Sequence, residues 1–128
     1  MEKNRFELGI ETLEKMFPAE ALEGMKKMKE ISPDFWEMIV GFGYGELYPR
    51  EGLNLAEREL VTLSSLITQG AFEQLDVHIR ASLRVGLTEH QIKEVIIQCS
   101  GYAGFPKAVQ AMKVASVIFA EEAQKTEK

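Results

Sequence analysis

Residues 54–70 read NLAERELVTLSSLITQG, and the reading of this stretch decides the fold. Asn54 followed three positions later by Glu57 is close to a capping box, with Asn where Ser or Thr is usual, and it marks a helix start. Leu60, Val61, Leu63, Leu66 and Ile67 make the helix apolar nearly all round, which predicts a central position. Gly70 ends or kinks it. The next segment keeps the same period: a helix from about Ala71 to Val85 sets Phe72, Leu75, Ile79 and Ser82 on one face. Asp76 and Arg80 then form an i,i+4 ion pair worth about 0.3–0.5 kcal/mol, and Gly86 is the stop.

Outward from this pair the pattern stays helical. Downstream, Thr88-Glu89-His90-Gln91 is a capping box opening a helix whose inner stripe is Ile92, Val95, Ile96 and Cys99. Gly101 and Gly104 break it, and Pro106 starts a last helix with Ala108, Ala111 and Ala115 on a stripe that lets another helix approach closely. Upstream, a helix runs from about Glu2 to Phe17, a short one covers about Ala19 to Glu30, and Ser32-Pro33 is a cap with proline at the first helical position. The third helix holds Phe35, Trp36, Met38, Ile39 and Phe42. Gly41, Gly43 and Gly45 crowd its end, and it is expected to dissolve into a loop from Gly45 to Gly52. No alternating run suggests a strand. The fold class is all-α, with six to seven helices, and 128 residues fit one domain at roughly 100–200 residues each.

Composition excludes several function classes. Hydrophobic residues at 45% and charged residues at 27% are those of a globular protein, not of a disordered chain or a disulfide scaffold. Fifteen Lys and Arg against 20 Asp and Glu leave a net charge of −5, which argues against a general nucleic-acid binder. No run approaches about 18 consecutive apolar residues, so no membrane span is expected. Met1 to Arg5 leads into a charged amphipathic stretch, and no signal peptide is visible. Cys99 is the single cysteine, so neither an internal disulfide nor a Cys-x-x-Cys pair is available. A reducing, cytoplasmic compartment fits these features.

Few polar residues fall where helical phase makes them candidates for chemistry. His78 lies beside Leu75 at the edge of an apolar face, where an imidazole serves as general acid or base. A histidine merely hydrogen-bonded to a carbonyl or carboxylate fits the same spacing. Glu59 sits in the apolar helix, where desolvation raises a carboxyl's affinity for its proton or an arginine holds it ionised. Pairing with Arg58, or facing water, fits as well. Arg50, in a loop punctuated by Gly and Pro, suits a carboxylate through its planar fork, or else caps a helix end. Arg80 and Arg84 read as a solvated stripe, His90 as surface, and Cys99 as a buried thiol. Two histidines 12 residues apart on different helices offer no metal spacing, and the glycines match no phosphate loop or nucleophile elbow.

Three blocks taken together identify a resemblance. They are Leu47-Tyr48-Pro49-Arg50-Glu51-Gly52-Leu53-Asn54 running into Arg58-Glu59-Leu60-Val61-Thr62; Leu75-Asp76-Val77-His78-Ile79-Arg80-Ala81-Ser82-Leu83 followed by Gly86-Leu87-Thr88; and Ile92-Lys93-Glu94-Val95-Ile96-Ile97-Gln98 with Tyr102-Ala103-Gly104-Phe105-Pro106. In order and spacing they resemble the carboxymuconolactone decarboxylase family, over a motif core of about residues 47–122. The resemblance implies an alkylhydroperoxidase D-like helical bundle that forms a homo-oligomer, commonly a hexamer, and a cofactor-free site near His78. The type reaction it implies is decarboxylation of 4-carboxymuconolactone in aromatic-acid catabolism. A sister branch uses Cys-x-x-Cys-x-x-x-His; with its histidine on His78, the thiol positions fall on Ala71 and Gln74, so thiol peroxidase chemistry is not expected. Glu59 matches a proton-transferring glutamate of that thiol branch and departs from the small hydroxyl residue frequent in decarboxylases. Glu51 departs from a frequent proline.

The reading that follows gives Arg50 to binding the carboxylate of a small-molecule substrate, His78 to proton transfer, and Glu59 to orienting the imidazole, without cofactor or metal. Another cofactor-free lyase or isomerase acting on a small carboxylate, and a non-catalytic ligand-binding or assembly protein, are the alternatives. Phe35, Trp36, Phe42 and the apolar helix from Leu60 to Ile67 exceed what one thin helical layer buries, which independently predicts a homo-oligomer.

Overall fold

In the computed structural model, residues 2–126 are described. They form α1 (Arg5–Met16), α2 (Ala19–Ile31), α3 (Pro33–Met38), a π-helix (Ile39–Leu47), α4 (Leu55–Gln69), α5 (Phe72–Arg84), α6 (Glu89–Ala103) and α7 (Phe105–Thr126). The chain is all-α: among the described residues there is no strand. It resolves into two compact units that meet inside α4, one ending at Arg58 and the other starting at Glu59.

In the first unit, Asn4 caps α1 by accepting from the Glu7 N–H at 2.9 Å, and Gly9, Thr12, Leu13 and Met16 form its buried stripe. Ser32 caps α3 by accepting from the Phe35 N–H at 3.2 Å, with Pro33 at the first position as the sequence predicts. The glycine-rich segment departs from expectation. The helix does not give way to a loop at Gly45 but continues through all three glycines as a π-helix to Leu47. The reason is tertiary. A Cβ on Gly9 would come within 2.2 Å of the Val40 carbonyl oxygen, and one on Gly45 within 2.0 Å of the Arg5 carbonyl oxygen. The π-helix and α1 therefore lie backbone against backbone. Each glycine costs about 1 kcal/mol of helix propensity relative to alanine, and the contact its missing Cβ permits offsets that cost.

In the second unit, α4 buries one narrow stripe, Glu59, Leu63 and Ile67, while Val61 is exposed, so the helix is less enclosed than its composition predicts. α5 buries Leu75, His78, Ile79, Ala81 and Ser82. Thr88 and Gln91 cap α6 reciprocally, at 2.9 and 3.0 Å. Gly101 does not break α6, which runs to Ala103; the stop is Gly104, whose φ of 96° favours glycine. α7 packs against both α5 and α6. Its buried residues include Ala108, Ala111 and Ala115, small side chains that allow this approach. No helix among the described residues is long and apolar enough to cross a membrane.

Candidate active site

The start of α4 is fixed by a reciprocal cap. The Asn54 N–H donates to Glu57 Oε1 at 2.9 Å, and the Glu57 N–H donates to Asn54 Oδ1 at 2.8 Å. Within the first unit, Arg58 Nη2 donates to the Arg50 carbonyl at 3.2 Å, tying the loop to the first turn of the helix. Upstream of that loop, Tyr48 stacks on Tyr44 with ring centroids 5.0 Å apart. Arg50 itself is exposed.

One residue beyond Arg58, the Glu59 side chain is 0% exposed, and the His78 side chain is 8% exposed. His78 Nδ1 lies 3.2 Å from Glu59 Oε1 and 3.1 Å from Glu59 Oε2. An ionised carboxylate only accepts, so the contact requires the proton on Nδ1. In the neutral ring this tautomer leaves Nε2 as the basic nitrogen. Ser82, one turn after His78 on α5, is also fully buried. Its Oγ lies 2.7 Å from the His78 carbonyl oxygen and 3.3 Å from Glu59 Oε2.

A carboxylate held out of water is costly unless it is paired and hydrogen-bonded. Here the partners are an imidazole and a hydroxyl, and the imidazole is the one whose charge changes most readily near neutral pH. The arrangement therefore holds the His78 ring in a fixed orientation, with its tautomer selected by a buried acceptor. Of the three candidates from the sequence, Glu59 and His78 are brought together. Glu59 does not face water, and its carboxylate contacts His78 and Ser82. Arg50 belongs to the unit that ends at Arg58. Sequence reasoning missed Ser82, whose one signal was its i+4 spacing from His78.

The other candidates fall as follows. Arg84 is exposed and Arg80 partly exposed, and Arg80 is engaged on the surface: its Nε donates to Asp76 Oδ1 at 3.0 Å, as expected of the i,i+4 pair, and its Nη1 donates to Glu121 Oε2 at 2.7 Å. The hydrogen bond to Glu121, and then that to Asp76, hold the Arg80 guanidinium above the usual arginine range. The same Arg80 bond holds the Glu121 carboxyl below the usual glutamate range. Cys99 is buried and His90 exposed, both as read from the sequence. Among the described residues, no three His, Cys, Asp or Glu side chains gather as a metal set.

Comparison with known proteins agrees with the three sequence blocks. The sequence pattern of the carboxymuconolactone decarboxylase family matches residues 33–116. The chain is 31% identical to the 4-carboxymuconolactone decarboxylase of Acinetobacter baylyi over 119 residues, covering 92% of this chain and 89% of that one. It is 28% identical to the nitrosuccinic acid decarboxylase of Metarhizium robertsii over 115 residues, covering 89% and 80% respectively. An uncharacterized 15.0 kDa protein of Paracoccus denitrificans is 32% identical over 100 residues, or 77% of this chain and 75% of that one. With two thirds of its length inside the family pattern and a relative matched almost end to end, the chain belongs to the carboxymuconolactone decarboxylase family.

Proposed function

We propose that the protein is a cofactor-free carboxy-lyase of the 4-carboxymuconolactone decarboxylase type, acting on a small carboxylated lactone in aromatic-acid catabolism. The observation that carries this reading is the buried His78–Glu59 contact at 3.1–3.2 Å, in a chain whose relatives include named decarboxylases. Such a reaction needs a cation for the substrate carboxylate and an acid for the carbon it leaves.

Arg50 binds the substrate carboxylate through its planar fork. The departing carboxylate leaves as CO2, and its bonding pair stays on the adjacent carbon as a carbanion or dienolate. The His78 imidazolium gives its Nε2 proton to that carbon, and the neutral ring takes a proton back from solvent. Glu59 holds Nδ1–H throughout, so the ring keeps one orientation and one tautomer. A positioned acid of this kind contributes about 10²–10⁴-fold to rate.

The test is CO2 release, with loss of ultraviolet absorbance, on 4-carboxymuconolactone and a panel of related lactones. The expected result is turnover by the wild type and a loss of about 10²–10⁴-fold in His78→Ala; full turnover by His78→Ala overturns the assignment. A second reading, a cofactor-free lyase acting on a small carboxylate that is not a lactone, is favoured by the relative named for nitrosuccinic acid. CO2 release from open-chain acids alone selects it.

The same reading includes a cytoplasmic homo-oligomer, a hexamer by family resemblance. Exposed aromatic side chains support assembly: Tyr102 is 86% and Phe105 72% exposed, with Phe35 and Phe42 about half exposed. Light scattering at micromolar concentration is expected to give a multiple of 14.4 kDa; a monomer contradicts it.

A further inference from the structure

The Ser82 hydroxyl has a single hydrogen and two acceptors within reach, the His78 carbonyl oxygen at 2.7 Å and Glu59 Oε2 at 3.3 Å. It can satisfy only one at a time, by rotation about its Cβ–Oγ bond. Which acceptor has the greater need depends on His78. While the ring is an imidazolium, the Glu59 charge is balanced by a cation in direct contact, and the nearer carbonyl holds the serine hydrogen. Once the ring has given up its Nε2 proton, the two donors that reach Glu59 from α5, the His78 Nδ1–H and the Ser82 hydroxyl, are both neutral, and the buried anion is the stronger acceptor. We propose that Ser82 is a positioning residue for proton transfer, a two-position donor that moves its hydrogen from the His78 carbonyl to Glu59 when His78 becomes neutral. No covalent bond is made or broken at Ser82, which acts on the imidazole only through Glu59.

The inference rests on the assignment of His78 as proton carrier, and the experiment separates the two. Ser82→Ala removes the hydroxyl and fits the same space; Ser82→Thr keeps a hydroxyl at the same position. Two quantities are read on the intact protein: solvent exchange of the His78 Nδ1 proton by NMR of histidine-labelled protein, which needs no substrate, and kcat against KM for whichever carboxylate is turned over. In Ser82→Ala, exchange is expected to quicken and kcat to fall, each by about tenfold, the effect of one hydrogen bond to a charged group. KM is expected to stay within about twofold, because that bond does not touch substrate. Ser82→Thr restores both where it folds, and where the added methyl prevents folding, Ser82→Cys, a weaker donor, gives intermediate values. Unchanged Nδ1 exchange in Ser82→Ala overturns the proposal whatever the kinetics, and so does unchanged kcat on a substrate the wild type turns over. If the wild type turns over none of the acids while exchange responds as expected, the decarboxylase reading fails and the placement of Ser82 stands.

Discussion

Helix α5 carries two basic side chains, two residues apart, that contact carboxylates, and they differ in almost everything else. His78 points inward, to a Glu59 carboxylate with no exposure. Arg80 is partly exposed and holds Asp76 and Glu121, both open to solvent on one side. The outer contact uses a cation that stays charged at any working pH, and it ties α5 to α7. The inner contact uses the side chain whose charge is easiest to change. A structural tie is best made with a permanent charge, whereas an imidazole is the side chain suited to gaining and losing a proton.

That contrast can be broken at its inner end first. His78→Ala strands the Glu59 carboxylate, and a loss of about 3–5 kcal/mol in unfolding free energy is expected by urea denaturation. A loss below about 1 kcal/mol would mean that water reaches Glu59 and that the two contacts are alike. Glu59→Gln keeps an acceptor but removes the charge, and a smaller loss of about 1–3 kcal/mol is expected by the same measurement.

Glu121→Gln at the outer contact should have the smallest effect, one that falls further in high salt. Its pH dependence has a defined sign. Because Arg80 lowers the Glu121 pKa in the folded state, its contribution is present above the ordinary glutamate value of 4.5 and is lost as pH falls through the lowered folded value. The difference between wild type and Glu121→Gln in thermal melts should therefore persist at neutral pH and vanish in acid. A difference that grows in acid contradicts the assignment.

How much of this was legible in the sequence follows from the range of each interaction. The caps at Ser32, Asn54 and Thr88 are contacts over three residues, and each is where the sequence places it. The candidates Glu59 and His78 came from spacing together with family resemblance, and their contact is found; spacing alone left both open to ordinary structural roles. The Asp76–Arg80 pair was legible, but the second partner of Arg80, Glu121, was not, because it lies 41 residues away on another helix. Ser82 was legible as a residue facing inward from α5 but not as a donor to Glu59, since that acceptor is placed by a side chain 23 residues away on another helix. The helix end was misread because local propensity at Gly45 contains nothing about the Arg5 backbone it meets.

The seam between α1 and the π-helix has a consequence for motion. A segment reading Gly-x-Gly-x-Gly would rank, by composition, among the loosest in the chain. At Gly9 and Gly45, however, there is no room for one more carbon, and Val40, Gly41, Tyr44 and Gly45 are buried. Its amides are expected to be among the slowest to exchange with deuterium in the first unit, opening only when that unit unfolds as a whole. Glycine here serves as a fastener, and a close backbone seam is written in residues usually read as a hinge.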